Sequence, residues 1–445
     1  MRRVLAILTA MCLLVCCAAA ESDAGQRAVE VLEELSSGAY QAVYDASADV
    51  LKQAVGSAEG MQEVWEQLAG LLGAYQSATP GEAQAQDGYE IVSVQCAFSN
   101  AEATLALAFD EEGRLTSLGL VSMQLRTDAQ AAEGDEGGYV EEEIALRPGE
   151  ADETRGLLTL PEGEGPFPAV VMVHGSGSSD MDETAYANAP LRDIARGLAR
   201  LGVASIRYDK YTYAHPEMCT GADFTVDDEY TKDAVDAAAL IAQDARVGDI
   251  YLLGHSQGAM LAPRIMRAMQ AQIGDRLAGG VLLAGSPLSM WEIQYRQNLD
   301  VVETLSGEQR AQAQATVDAE VAKVDALSQM TPEELQAQTL FGISAWYQLD
   351  EMSVDAAQTA IELDLPLFIA QGEKDWQVRP EDGVEAWRAA LPEDFAATFR
   401  LYEDMNHMLA DMQGEPTGTA QDYMDADAHV SEALIGDIAE WIRAN

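Results

Sequence analysis

Positive charge is scarce in this sequence. Lysine and arginine together number 26 against 75 aspartates and glutamates, a formal net charge of −49. Such a polyanion repels phosphate backbones, which argues against nucleic acid as a partner and disfavours strongly anionic substrates. The acids are spread along the chain rather than gathered in a tail, the pattern of a solvated surface. Cysteine is also rare. Of five cysteines, Cys12, Cys16 and Cys17 fall in the first twenty residues. Cys96 and Cys219 lie in what read as separate domains, so no disulfide framework is indicated. The apolar run over residues 4–15 is too short to be a comfortable membrane span. It stands between Arg2-Arg3 and Ala18-Ala19-Ala20, the order of a signal peptide over residues 1–20. Two endings stay open: cleavage before Glu21 with release, or lipid modification at Cys16 or Cys17 with membrane anchoring. Either makes the mature protein exported, secreted or held at the cell envelope.

What is present is ample chain. A length of 445 residues with 48% hydrophobic content predicts two or three domains with sizeable cores. Residues 25–126 read as a small α+β domain. Val29, Val31, Leu32 and Leu35, then Met61, Val64, Trp65, Leu68, Leu71 and Leu72, have helical spacing. Gly38, Gly56-Ser57 and Gly60 read as breaks, and Thr79-Pro80-Gly81 as the end of the helical zone. Alternation then predicts three strands: one from Ile91, Val92 and Val94, one over 103–109, and one from Leu115 after the Asp110-Glu111-Glu112-Gly113 turn. Residues 127–138, without an apolar period, read as a linker.

The second domain spans 139–445. Strand-like runs at 169–173, 203–208, 249–253, 281–284, 365–370 and 398–402 alternate with helix-like ones at 189–201, 231–243 and 259–269. That predicts an α/β fold, a mostly parallel sheet covered on both faces. About seventy residues of helical character interrupt the alternation, a cap at about 288–360. Trp291, Tyr295, Trp346 and Tyr347 lie in it, and Trp291, Trp346 and Tyr347 are candidates to line an apolar acyl or aryl pocket.

Between the 249–253 strand and its helix stands Gly254-His255-Ser256-Gln257-Gly258. G-x-S-x-G in that setting is a nucleophile elbow, a turn so sharp that Ser256 is held out above the sheet. A serine needs a base, and the base an orienting carboxylate. Among the histidines, His255 sits beside the serine and points elsewhere, His174 belongs to a His-Gly turn, His215 to a loop and His429 to a terminal amphipathic helix. His407, just past the strand ending at Tyr402, is the candidate base. Asp375, in the loop after the 365–370 strand, is the candidate acid, with Glu373 as the alternative. The oxyanion of an acyl-transfer intermediate needs two backbone donors. Gln257 N–H is one, and Ser176, or else Gly177, supplies the other. The His174-Gly175-Ser176-Gly177 turn lacks the lysine and spacing of a phosphate loop.

These residues together resemble the α/β-hydrolase superfamily over about 139–445. They are similar to exported bacterial esterases and serine aminopeptidase-like hydrolases that carry a small cystatin-like or NTF2-like domain in front. The resemblance rests on the His-Gly-Ser-Gly turn with its acidic end at 174–182, the Arg-Tyr-Asp-Lys strand end at 207–210, the elbow with Ala262-Pro263, and Asn406-His407. It implies the α/β-hydrolase fold with a helical cap and the chain order Ser256, Asp375, His407. The segment Tyr211-Thr212-Tyr213-Ala214-His215-Pro216 departs from the Arg-Gly-x-Gly turn such relatives carry. The expectation is an exported serine hydrolase of small-molecule carboxylic esters with short or aromatic acyl groups, needing no metal or organic cofactor. A peptidase for short peptides, with Asp350-Glu351 holding a free amino terminus, and a non-catalytic envelope binding protein remain alternatives.

Overall fold

The computed structural model describes residues 23–86, 89–125, 137–425 and 427–445. The expected signal peptide, the lipid-accepting cysteines and nearly all of the expected linker lie outside these. The chain divides into two units, residues 1–135 with 185–187, and 136–184 with 188–445.

The first unit opens with four helices, α1 (Asp23–Ser36), α2 (Tyr40–Ala46), α3 (Asp49–Val55) and α4 (Ala58–Leu72). In α1 the buried stripe is Ala24, Ala28, Leu32 and Leu35. Alanines complete the face that the valines were expected to fill. Gly38 and Gly56 are breaks, with φ of 84° and 80°. Gly60 is not a break but lies inside α4. A methyl group there would stand 1.9 Å from Val55 O, so glycine lets α4 start against the end of α3. The sheet is an antiparallel meander of β1 (Tyr75–Gln86), β2 (Tyr89–Phe98), β3 (Ala101–Phe109) and β4 (Leu115–Leu125), in that order. The expected alternation is there: Ala101, Ala103, Leu105, Leu107 and Phe109 of β3 are all buried, each large side chain contributing about 1.5–3 kcal/mol. β1 was not expected, because it contains Thr79-Pro80-Gly81. It is an edge strand, and its register slips between Pro80 and Ala83, the position where a sheet tolerates proline.

The second unit is built on an eight-stranded sheet. In chain order its elements are β5 (Tyr139–Leu146), β6 (Thr154–Pro161), β7 (Phe167–Val173), α5 (Pro190–Arg200), β8 (Ala204–Tyr208), α6 (Tyr211–Ala214), α7 (Lys232–Ile241), β9 (Val247–His255), α8 (Gln257–Met260), α9 (Ala262–Ile273) and β10 (Leu277–Leu283). The cap follows as α10 (Met290–Thr304), α11 (Gly307–Leu327), α12 (Pro332–Gln336), a small hairpin of β11 (Thr339–Leu340) and β12 (Ile343–Ser344), α13 (Ala345–Met352) and α14 (Ala356–Leu363). The chain then completes the sheet with β13 (Leu367–Gly372), α15 (Val384–Ala390) and β14 (Ala397–Tyr402), and ends in α16 (Glu432–Ala444).

The strand order is β14-β13-β10-β9-β7-β8-β6-β5. β6 pairs antiparallel with both neighbours, and all other pairings are parallel. Both faces are covered. Val170, Met172, Tyr251 and Leu253 pack with α5 and α16, while Val171, Val173, Ile250 and Leu252 pack with α7 and α9. Burial on two sides is why these strands read as unbroken apolar runs. The helix expected over 259–269 is split at Leu261, with Pro263 opening α9, since proline lacks the donor that a continuous helix needs there. The cap has its own core of Val302, Val317, Leu327, Leu335, Leu340, Phe341 and Ala345. Parallel strands bring their carboxyl ends to one edge, so the loops after β7, β9, β13 and β14 converge there.

Candidate active site

Ser256 follows β9 with φ 51° and ψ −117°, a conformation that costs a non-glycine residue of order 1–3 kcal/mol. A methyl group on Gly254 would stand 2.4 Å from Gly258 O, and one on Gly258 2.5 Å from His174 O. Both glycines are therefore required by close backbone approach. The Ser256 N–H donates to Leu283 O at 2.8 Å, tying the turn to β10.

The loop after β14 brings His407 Nε2 to 3.0 Å from Ser256 Oγ, and His407 Nδ1 lies 2.8 Å from Asp375 Oδ2. Asp375 is 3% exposed. Its Oδ1 accepts from Gln377 N–H and Val378 N–H, each at 2.9 Å, and its Oδ2 also accepts from Gln371 Nε2 at 3.1 Å. A buried carboxylate needs such donors in place of the water it has lost. Glu373, the alternative acid, is exposed, and Asp375 makes the contact to His407.

The other histidines have structural partners. His255 sets Nδ1 3.0 Å from both oxygens of Glu183 and donates from Nε2 to His407 O at 2.8 Å. Burial disfavours its charged form, but the Glu183 carboxylate, the His407 carbonyl and the Asp375 charge together outweigh burial and raise its pKa. His174, buried, faces Asp180 O at 3.0 Å. His215 Nε2 is 3.2 Å from Thr154 Oγ1. His429 was expected in the terminal helix and is not. α16 begins at Glu432 with Ser431 at its cap, and His429 lies in the preceding loop, 2.9 Å from Asp193.

The turn after β7 packs on the nucleophile: a methyl group on Gly175 would stand 3.0 Å from Ser256 Cβ. Gly175 N–H donates to Glu183 Oε1, so it is not available to a substrate. Of the candidate oxyanion donors, Gln257 follows the serine at the start of α8, and Ser176 follows Gly175 on the β7 turn. Gly177 has φ 88°. The Gln257 side chain is buried, with Oε1 accepting from Tyr230 at 2.8 Å. Three neighbours of this turn were not expected as site residues: Glu183, Lys210 and Tyr230. The 207–210 segment was a sequence signal for Lys210.

Of the cap aromatics, Tyr347 reaches the elbow, its hydroxyl 3.4 Å from Gln257 Nε2 and donating to Glu229 at 2.7 Å. Trp346 donates from Nε1 to Asp223 O at 3.1 Å and, like Trp291, packs on the cap core. Trp291 also lines a cavity of about 320 Å³ with Met260, Leu261, Leu288, Glu351 and Met352. Burial pushes the pKa of Glu351 up to about 7. Asp350 is held by Arg264 and by Val226 N–H. Among the described residues no cluster of histidine, cysteine, aspartate or glutamate is arranged to hold a metal.

Fold and site together define a hydrolase scaffold with a serine at its elbow. The model described as Alpha/beta hydrolase family matches residues 170–437, and the chain belongs to that family. A second model, for a protein of unknown function (DUF3887), matches residues 28–118. Esterase EstD of Thermotoga maritima is similar at 28% identity over 418 residues, covering 94% of this chain and 95% of that protein. Solved structures with likeness include the Pyrococcus furiosus esterase Pf2001, at TM-score 0.40 and 13% identity over 69% of this chain and 91% of its own. Est1E from Butyrivibrio proteoclasticus aligns at TM-score 0.41 and 15% identity over 68% and 99%. These two superpose loosely, and the family assignment does not rest on them.

Proposed function

We propose that this protein is an exported serine hydrolase that cleaves small carboxylic esters with short or aromatic acyl groups. The observation that carries the reading is the continuous contact from Ser256 Oγ through His407 to Asp375, at 3.0 and 2.8 Å. In this mechanism His407 Nε2 takes the proton of Ser256 as Oγ attacks the ester carbonyl. Asp375 holds the Nδ1–H tautomer and stabilises the imidazolium that forms. The N–H groups of Ser176 and Gln257 receive the oxyanion. His407 then returns the proton to the departing alcohol, and a water molecule, activated the same way, releases the acid from the acyl-serine.

A relative named an esterase, similar along nearly the whole of both chains, supports ester over amide. The peptidase reading asked for Asp350 and Glu351 to be free to hold an amino terminus. Asp350 is already bound to Arg264, and no observation favours that reading. Export, with release or lipid anchoring, rests on the sequence of the first twenty residues. The test is a panel of p-nitrophenyl esters against aminoacyl-p-nitroanilides, with the Ser256→Ala variant as control. Ester turnover lost in the variant is the expected result. Cleavage of anilides alone, or ester turnover that survives the substitution, overturns it.

A further inference from the structure

Behind the β7 turn lies a buried cation that the mechanism above does not use. Lys210, two residues past the end of β8, is 1% exposed. Its Nζ lies 2.8 Å from Gly175 O, 2.8 Å from Gly177 O and 2.6 Å from Tyr230 Oη. Glu229 Oε1, itself buried, stands 2.8 Å away as counter-ion. The ammonium also sits 4.1 Å from the centre of the Tyr230 ring. Tyr230 Oη in turn lies 2.9 Å from Gly175 O and 2.8 Å from Gln257 Oε1.

A trans peptide is planar, with its C=O and N–H pointing in opposite directions. The Gly175 carbonyl and the Ser176 N–H belong to one such plane. Fixing the carbonyl on Lys210 and Tyr230 therefore turns the Ser176 N–H away from them. The residue before it, Gly175, is pressed against Ser256 and has its own N–H held by Glu183. The turn is thus gripped on both sides, by an anion at one N–H and by a cation at two carbonyls. We infer that Lys210 is a positioning residue that aims the Ser176 N–H at the oxyanion. Tyr230, with one hydroxyl proton to give, stands between the Gly175 carbonyl and the side-chain Oε1 of Gln257, the residue whose backbone N–H is the second donor. The Glu229 carboxylate that holds Lys210 also accepts from Tyr347 of the cap, so the cap bears on this cluster.

This inference rests on the serine hydrolase reading and deepens it. A hydrophobic replacement by methionine keeps the side chain as far as Cε and removes the donors. Lys210→Met is expected to lower kcat on p-nitrophenyl butyrate by about 10²–10³-fold, the loss seen when one oxyanion donor is removed, with KM within threefold. Tyr230→Phe keeps the ring and tests the same grip if Lys210→Met does not fold. Removing one hydrogen bond there is expected to lower kcat about tenfold, again with KM little changed. Inactivation by a fluorophosphonate, which forms a tetrahedral adduct at Ser256, is expected to slow in parallel with kcat in both variants. A purely structural role would lower the unfolding midpoint without separating kcat from KM. If folded Lys210→Met, or Tyr230→Phe in its place, turns over and reacts with the fluorophosphonate at the parent rate, the positioning role is wrong and the hydrolase reading stands. If the parent protein neither turns over ester nor takes the label at Ser256, both readings fall together.

Discussion

At Asp375 the hydrogen bonds determine what a single-atom change would do. Oδ1 accepts from two backbone N–H groups, so an asparagine placed there must keep its oxygen on that side. Its NH2 then faces His407 Nδ1, which has to become an acceptor. The proton moves to Nε2, the atom that should receive one from Ser256. Asp375→Asn is therefore expected to fold at a cost of about 1–3 kcal/mol, since Gln371 Nε2 loses its acceptor at Oδ2, and to lose about 10⁴-fold in kcat, the cost of the wrong tautomer; steady-state kinetics beside a thermal melt checks both halves. His174 offers a second expectation. Burial, with the nearby Lys210 charge adding to it, outweighs the Glu183 carboxylate and brings its pKa down to about 4. The unfolded chain takes that proton near pH 6.5. The contribution to stability is present in full above 6.5 and is lost as pH falls from 6.5 to 4, about 3 kcal/mol in all. Proton NMR should find the His174 ring neutral at pH 5, and urea midpoints should decline over the same interval. The three residues of the contact chain were legible because the elbow is a local motif and the partners follow strands in a known order. Lys210 was legible only as part of a strand end. Its partners are carbonyls some 33–35 positions earlier, brought close by β7 and β8 lying side by side.

Elements differ in how openly they announce themselves. The buried parallel strands were plain, since an apolar run of five or six residues between turns has few other uses. β1 was hidden because proline and glycine ordinarily mark an end, whereas an edge strand with a bulge accepts both. The two-piece elbow helix was read as one because periodicity continues across Leu261, while Pro263 has no N–H to carry the helix through. The junction of β13 with the loop that carries His407 gives a prediction of its own. A methyl group on Gly372 would fall 1.8 Å from Met405 O, and that carbonyl is held in place by Lys374 N–H at 3.1 Å. Gly372→Ala must push the loop, at a cost of about 1–3 kcal/mol. A shift of about 1 Å two residues before His407 is expected to reduce kcat by about 10²-fold. A variant as stable and as active as the parent would show that the loop gives way without moving the imidazole.

For the whole molecule the imbalance of charge is the dominant fact. Some of the limited cationic charge is enclosed: Arg207 is bound by Glu141 and Asp182, and Arg147 by Asp233 and Asp236. The acidic excess is left without internal partners, and mutual repulsion among those carboxylates works against the compact state. Sodium chloride shortens the Debye length from about 10 Å at 0.1 M to about 3 Å at 1 M. The melting temperature is accordingly expected to rise by several degrees over that range, and a flat profile by scanning calorimetry would contradict it. Enclosure of Lys210 has a practical side as well. Acylating reagents meet amines such as Lys232 and Lys323, whose side chains are 46% and 36% exposed, long before they meet one that no solvent reaches. Immobilising the protein on a resin through its amines should accordingly leave the chemistry at the elbow intact.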